Sequence, residues 1–431
     1  MPGRQLIMNF PVTATSHALA DYRARGGYQA LPKALAMPPQ DVTKEVTASG
    51  LLGHGGAAFP VGRKWQVIKL NDNQPHFLCA NADEGEPGTF KDRWILEHAP
   101  HLLVESMVIT SYALQVRHAF VYIRGEFDLP YRRLAGAIEE AYAEGLLGEN
   151  ILGTGFACDI NVIRGAGSYV CGEASGLLAS VEGKRGYPRN RPPRLTVKGL
   201  FQRPTVVNNV ETLSNVAGII THGVEAFRQV GLPKCPGTQL VSISGHIEKP
   251  GVYEVEYGYP LQKFLYDDCG GILGGKKLKC IIPGGISTKV LTAAECEPLT
   301  YDKESLESAG SSLGSGGMIV IAEGTCMVRL LQVMLRFYHH ESCGQCTPCR
   351  EGMGWLHRII DRIVGGQGRP EDLDRMIAIS KLNDGTTICG MGDAAGYATV
   401  GILAKYRDEF EYWIEHKRSR LDGNLEAIAH A

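Results

Sequence analysis

Short apolar runs alternate with longer amphipathic stretches along the first half of the chain. Phe77-Leu78-Cys79-Ala80, Ala119-Phe120-Val121-Tyr122-Ile123 and Cys158-Asp159-Ile160-Asn161-Val162-Ile163 each read as a strand. Between them, Leu102 to Leu114 is an apolar helical pattern and Pro130 to Ala143 a second one. A further helix runs through Leu177, Leu178 and Val181. Pro204 to Leu213 passes from a strand end into another helix. Strand and helix in alternation predict an α/β fold with a mostly parallel sheet. Ahead of it, residues 1 to 45 read as a lead-in arm with one or two helices, since Gly26-Gly27 interrupts the apolar spacing. Asp41 is expected to cap a helix that Gly50 stops.

The pattern changes near Pro233 to Gly237. Thr238 to Ile247, Gly251 to Val255, Leu278 to Ile282 and Met318 to Ala322 are β-like, with one short helix at Pro260 to Tyr266. This predicts a small α+β module with no evident catalytic set. From Thr325 onward the chain is helical: Met327, Leu330, Leu331, Met334 and Phe337 share one face, and Ile359, Ile363, Leu373, Met376 and Ile377 continue on later helices. The expected divisions are 1–45, 46–235, 236–324 and 325–431.

Composition narrows the function. The 431 residues are 44% hydrophobic and 21% charged, as in ordinary globular proteins, and carry a net charge of −2. That balance points to neither nucleic acid nor an anionic membrane surface. No apolar run approaches the roughly 18 to 20 residues of a membrane span, and the first residues do not read as a signal peptide. Eight of the twelve cysteines are scattered among apolar or Gly neighbours and read as small buried hydrophobes.

The other four carry chemistry. Cys343, Cys346 and Cys349 stand at intervals of three in Glu341-Ser342-Cys343-Gly344-Gln345-Cys346-Thr347-Pro348-Cys349-Arg350, and Cys389 follows in Thr387-Ile388-Cys389-Gly390. Four thiols hold zinc or an iron–sulfur cluster. Zinc usually takes two CxxC knuckles, whereas three close cysteines and one remote cysteine are more often a [4Fe-4S] arrangement.

Three loops are candidates for ligand binding. Ser49 to Trp65 contains five Gly and ends in Arg63-Lys64; it is a multi-turn connection or a loop whose bare backbone meets a ligand. It is neither a Walker A loop nor the ordinary dinucleotide fingerprint. Asn81 to Arg93 follows a strand and is dense in carboxylates, which is a solvated turn or a site at the carboxyl edge of a sheet. Arg164 to Gly176 is a strand–Gly turn–helix unit that faces a helix N-terminus toward any ligand. The pair Asn208-Asn209 can read the edge of a flat heterocycle or cap the next helix. Tyr187 to Arg194, rich in Pro and Arg, is expected to be an extended flap.

Taken in order, Gly53-x-Gly55-Gly56-Ala57-x-Phe59-Pro60-x-Gly62-x-Lys64-Trp65, Asn81-Ala82-Asp83-Glu84-x-Glu86-Pro87-Gly88, Cys171-Gly172-Glu173, Val207-Asn208-Asn209-Val210-Glu211-Thr212 and the cysteine run resemble the NADH-binding flavoprotein subunit of respiratory complex I. Diaphorase subunits of NAD-linked hydrogenases and formate dehydrogenases are similar. The resemblance implies a Rossmann-like domain binding FMN and NADH, a ubiquitin-like α+β domain and a helical bundle carrying a [4Fe-4S] cluster on Cys343, Cys346, Cys349 and Cys389. It implies that Gly53, Gly55 and Gly56 lie along both nucleotides. Asn81, Asp83, Glu84, Tyr169, Gly172, Glu173, Asn208, Asn209 and Thr212 would hold FMN, and Phe59, Lys64 and Glu86 would touch NADH or the flavin phosphate region. No side chain need act as acid or base: FMN takes the hydride, positioned by Glu84 and Glu86, and passes electrons singly to the cluster. The implied role is electron input to NADH:quinone oxidoreductase, beside a thioredoxin-like [2Fe-2S] subunit and a large multi-cluster iron–sulfur subunit. The implied location is the peripheral arm on the cytoplasmic side of the inner membrane, without direct insertion. The eighteen residues after Trp413 lack cysteine, which favours complex I over a fused soluble diaphorase. Against the family's pattern, His54 stands where Arg is usual, which predicts a pH-dependent charge, and Ala174 where a second Glu is common. Val67 and Arg194 replace aromatics, and with Arg189 and Arg191 they raise some tolerance of NADPH.

Overall fold

A computed structural model describes residues 2–421. Four strands, β1 (His76–Ala82), β2 (Val116–Ile123), β3 (Asp159–Arg164) and β4 (Thr205–Asn209), form one sheet in the order β3-β2-β1-β4. All pairings are parallel, with Leu78 opposite Ala119 on one side and Val206 on the other. Leu78, Cys79 and Ala80 of the central strand are fully buried, because helices cover both faces of such a sheet. The helices are α1 (Pro39–Ser49), α2 (Lys91–His98), α3 (Pro100–Leu114), α4 (Asp128–Ala143), α5 (Ala174–Val181) and α6 (Val210–His222). Two of the three candidate ligand loops leave strand carboxyl ends, Asn81 to Arg93 after β1 and Arg164 to Gly176 after β3; the Gly-rich loop, Ser49 to Trp65, comes before β1.

Two local readings change. Helix α1 begins at Pro39, whose fixed φ suits a first turn, so Asp41 sits within that turn, beside the positive end of the helix dipole, and is not the cap. Gly50 ends the helix at φ 75° as its sequence predicts. The first 45 residues are not a loose arm, since Tyr22, Leu31, Ala34 and Val42 are buried in the same core as α3 and α6. The cause is a long-range contact: Glu105 on α3, itself buried, accepts hydrogen bonds from the Tyr22 hydroxyl (2.5 Å) and from the N–H groups of Tyr28 (2.8 Å), Ala30 and Leu31 (both 3.0 Å).

The middle module is a sheet of β5 (Thr238–Gly245), β6 (Gly251–Glu256), β7 (Leu278–Ile282), β8 (Leu291–Thr292) and β9 (Gly317–Ala322), in the order β8-β7-β9-β5-β6. Only β5 and β9 run parallel. It leans on the first domain at Gly317, where a Cβ would lie 2.4 Å from Thr89 Oγ1, so only glycine allows that approach. The last part is a bundle of α7 (Met327–Glu341), α8 (Thr347–Arg362), α9 (Glu371–Asn383) and α10 (Met391–His416). Its expected stripe packs as a core: Met327, Leu331, Met334, Met353, Ile360 and Met376 are buried together. Among the described residues no helix is long and apolar enough to cross a membrane.

Candidate functional site

A cavity of 440 Å³ opens at the carboxyl ends of the first sheet and is walled by all three parts of the chain. Gly55, Gly56, Asn81, Asp83, Glu84, Glu86, Tyr169, Gly172, Glu173 and Asn209 line it, all of them residues the sequence singles out. Ser287 and Ser315 come from the middle module, and Cys389 and Met391 from the bundle.

The loops are locked by side chains. Asn81 Nδ2 donates to the Gly172 carbonyl (2.8 Å) and its Oδ1 accepts from Asp83 N (3.0 Å), which ties the carboxylate loop to the third loop. Glu86 Oε2 accepts from the Tyr169 hydroxyl (2.5 Å) and Oε1 from Ser287 N (2.8 Å). Several of these side chains, though at the cavity wall, are also engaged by backbone N–H groups. Glu84 accepts from the N–H groups of Asp92 (2.9 Å) and Arg93 (3.0 Å) in the first turn of α2. Glu173 caps α5 through Ser175 N (2.8 Å) and Gly176 N (2.9 Å) and pairs with Arg191 (2.7 Å). Asn209 Oδ1 caps α6 through Glu211 N (3.0 Å), so its capping reading holds. Asn208 accepts from the buried Trp65 indole (3.1 Å).

Gly53, Phe59, Lys64, Asn208 and Thr212 are not among the cavity's lining residues. Phe59 is half exposed. The Lys64 ammonium donates to the Val207 carbonyl (2.9 Å), and burial followed by the charge of Arg191 pushes it down to about 8. Thr212 Oγ1 accepts from His54 N (2.8 Å).

The expected titration of His54 is corrected. Its ring is buried, its Nε2 meets the Thr238 carbonyl at 3.1 Å, and burial followed by Lys91 pushes its pKa down to about 3. It stays neutral through the physiological range. Two of the three flap arginines are engaged by carboxylates, Arg191 by Glu173 and Arg189 by Glu182 (3.0 Å), while Arg194 is exposed.

One charge cluster escapes sequence reading. Lys91 is fully buried, 2.9 Å from Asp92 Oδ1, 2.6 Å from Glu211 Oε2 and 3.4 Å from Asn209 Oδ1, and it lines the cavity with Asp92. Burial alone would lower the ammonium; Asp92, Glu211 and Glu84 outweigh burial and hold it above its ordinary value. Burial raises Glu211 to about 7 despite Lys91, and burial followed by Asp92 raises Glu84. The available signal was the Lys91-Asp92 pair directly after a loop rich in acid.

The cavity suits a planar heterocycle with a polar tail. Asp83 Oδ2 is buried without a hydrogen-bond partner, and burial raises this carboxyl to about 7. Gly55 carries its backbone so close that a Cβ would stand 3.3 Å from Asn209 Cβ, and at Gly172 one would stand 3.2 Å from the Asp83 carbonyl. Beside it, Gly344 turns the cysteine loop at φ 77°, and Thr347 and Pro348 start α8. Burial pushes the Cys349 thiol up to about 11, with Cys346, Cys389 and Cys343 acting in the same direction, so the four thiols share one neighbourhood. Among the described residues no three His, Cys, Asp or Glu side chains are gathered as a single ion requires. Zinc holds each thiolate at about 2.3 Å; a four-iron cube is larger and holds its thiolates further apart. Of the four, only Cys389 also lines the cavity.

These features define a flavin- and iron–sulfur-binding NADH dehydrogenase module. Residues 46–218 match the Nuo51 FMN-binding domain, 239–319 an SLBB domain, and 329–413 the NADH-ubiquinone oxidoreductase-F iron–sulfur binding region. The chain belongs to the family of NADH-quinone oxidoreductase F subunits: it is 46% identical over 403 residues to the F 2 subunit of Rhizobium meliloti (strain 1021), covering 93% of this chain and 96% of that one. It is also 47% identical to the F subunit of Streptomyces coelicolor, over 92% of this chain and 88% of the other. Among solved structures, an NAD+-reducing [NiFe]-hydrogenase in the air-oxidized state is similar at 32% identity and a TM-score of 0.81, over 94% of this chain and 66% of the hydrogenase chain. The module's cofactors are FMN and a [4Fe-4S] cluster, and NADH is its substrate.

Proposed function

We propose that the chain is the electron-input subunit of a membrane-bound NADH:quinone oxidoreductase, oxidising NADH at the 440 Å³ cavity and delivering electrons through Cys343, Cys346, Cys349 and Cys389. The observation that carries this reading is the double duty of Cys389, which belongs to the thiol set and to the cavity wall, so donor and acceptor share a boundary. FMN, when bound there, takes an electron pair as hydride and gives electrons up singly.

The chain's own groups do the rest. Asn81, Asp83, Gly55 and Gly172, which line the cavity, would hold the flavin when it is bound. The cavity carries Asp83, Glu84, Glu86, Asp92 and Glu173 against one ammonium, Lys91. Lys64 and Arg191 are the cations assigned to the phosphates, which would leave the ring ends of both nucleotides for the cavity. Glu86, fixed by Tyr169 and Ser287, presents an immobile carboxylate to the entering nicotinamide. Glu84 and Asn209 act at one remove, by setting the first turns of α2 and α6.

Homology at 42 to 47% to the F subunits of several organisms supports partners within a multi-subunit complex. We propose a thioredoxin-like [2Fe-2S] subunit and a large multi-cluster subunit as those partners, on the cytoplasmic side of the inner membrane. A second reading, a diaphorase subunit of a soluble NAD-linked hydrogenase, is favoured by the 32% likeness to the hydrogenase chain. Purifying the native assembly and identifying its subunits tests both. Membrane subunits are expected; a hydrogenase or molybdenum subunit in their place would overturn the first reading.

A further inference from the structure

The last turn of α7 reaches out of the bundle and holds a residue of the nucleotide cavity. Glu341 is the final residue of that helix and lies two positions before the first cluster cysteine. Its Oε2 accepts from Tyr169 N at 3.1 Å. One turn earlier, Phe337 meets the Tyr169 ring edge-on, with centroids 5.1 Å apart and planes at 72°. Both residues face the same side of the helix, four positions apart. Tyr169 is thereby gripped by backbone and ring from the bundle, while its hydroxyl donates to Glu86 at 2.5 Å. Tyr338, next on the helix, is buried within electrostatic reach of Glu86. The charge of Glu341 itself reaches Asp83, the cavity carboxyl that lacks a partner.

We infer that Glu341 is a positioning residue for nucleotide binding: through Tyr169 it sets the place of the Glu86 carboxylate. This rests on the reading of the cavity as the NADH site. The physical case is one of constraint. Glu86 has two anchors, Ser287 N and the Tyr169 hydroxyl. The Ser287 anchor is backbone and moves only with the middle module. The Tyr169 anchor is a long side chain, and its place depends on what holds the tyrosine's main chain. That main chain begins a short 3₁₀ turn, Tyr169–Gly172, where the first N–H groups have no partner within the turn. The carboxylate of Glu341 is such a partner, and an ionised acceptor binds an N–H about twice as strongly as a neutral one.

The test uses the full chain loaded with FMN and iron, and titrates NAD+ and ADP-ribose by calorimetry. ADP-ribose lacks the nicotinamide and reports the remainder of the site. Glu341→Ala is expected to weaken NAD+ about tenfold, or about 1.4 kcal/mol, and to change ADP-ribose less than about twofold. Glu341→Gln keeps an acceptor oxygen and should restore most of the affinity for NAD+. Should Glu341→Ala lose iron, Phe337→Leu removes the ring contact four positions further from the cysteines and should weaken NAD+ about threefold, again sparing ADP-ribose. Unchanged NAD+ affinity in a variant with full FMN and iron overturns the inference, as does equal loss for both ligands. A wild-type chain that binds NAD+ no more tightly than ADP-ribose would instead overturn the reading of the cavity.

Discussion

Replacing Lys91 by Met should be among the most costly single changes in the first domain. Methionine matches the length of the lysine stem and removes only the charge and its donors. Lys91 is fully buried, with Asp92 Oδ1 at 2.9 Å, Glu211 Oε2 at 2.6 Å and Asn209 Oδ1 at 3.4 Å. Breaking a buried ion pair by deleting one partner costs about 3 to 5 kcal/mol, because the other charge is left uncompensated. At about 2 to 4 °C per kcal/mol for a domain of this size, the midpoint of thermal FMN release should fall by on the order of 10 °C. The loss also has a pH signature. Burial already holds Glu211 at about 7, above its unfolded value, and raises Glu84 likewise. Without Lys91 both move further up. A carboxyl whose folded pKa lies above its unfolded one binds its proton more tightly when folded. It costs nothing below the unfolded value and its full amount above the folded value. The Lys91→Met loss should therefore be largest near pH 8 to 9 and shrink toward pH 5. Thermal melts of variant and wild type, followed by flavin fluorescence at several pH values, measure it. A loss below about 1 kcal/mol at pH 8, or one that grows on acidification, would refute the reasoning.

Lys64, held down to about 8, is charged below that pH and neutral above it; affinity for NAD+ should fall between pH 7 and 9, and Lys64→Met should flatten that profile in a binding titration. Cys346→Ala should spare electron transfer from NADH to ferricyanide and abolish delivery to the physiological acceptor, with iron content reporting the lost cluster; normal reduction of that acceptor would remove Cys346 from the path. Asn208→Ala leaves the Trp65 indole N–H buried and unpaired, at a cost of about 1 to 3 kcal/mol. Asn208→Asp keeps the acceptor and should cost less, as read by denaturant unfolding.

What could be read in the sequence were elements that depend on local order. The runs at Phe77–Ala80 and Ala119–Ile123, the Gly50 stop and the cysteine spacing follow from neighbours along the chain. What escaped were choices made across distance. Glu84, Glu173 and Asn209 resemble ligand residues in sequence, yet each side chain saturates a helix N-terminus, because unpaired N–H groups there compete for any nearby oxygen. His54 looked titratable until the packing of β5 and Lys91 around it was known. Tyr22 and Leu31 looked peripheral until Glu105, more than seventy positions later, gathered their backbone. Ser287 and Ser315 sit in a module without catalytic signature and still close the cavity, since glycine contacts such as Gly317 against Thr89 draw the two domains together.

Cys389 leaves one consequence for how the two cofactor sites depend on each other. A thiol that is both wall and anchor makes the two cofactors' berths adjoining rooms with a common partition. Filling one room therefore bears on the walls of the other, and a single substitution at Cys389 would disturb both berths at once, whereas one at Cys346 would touch the iron's alone.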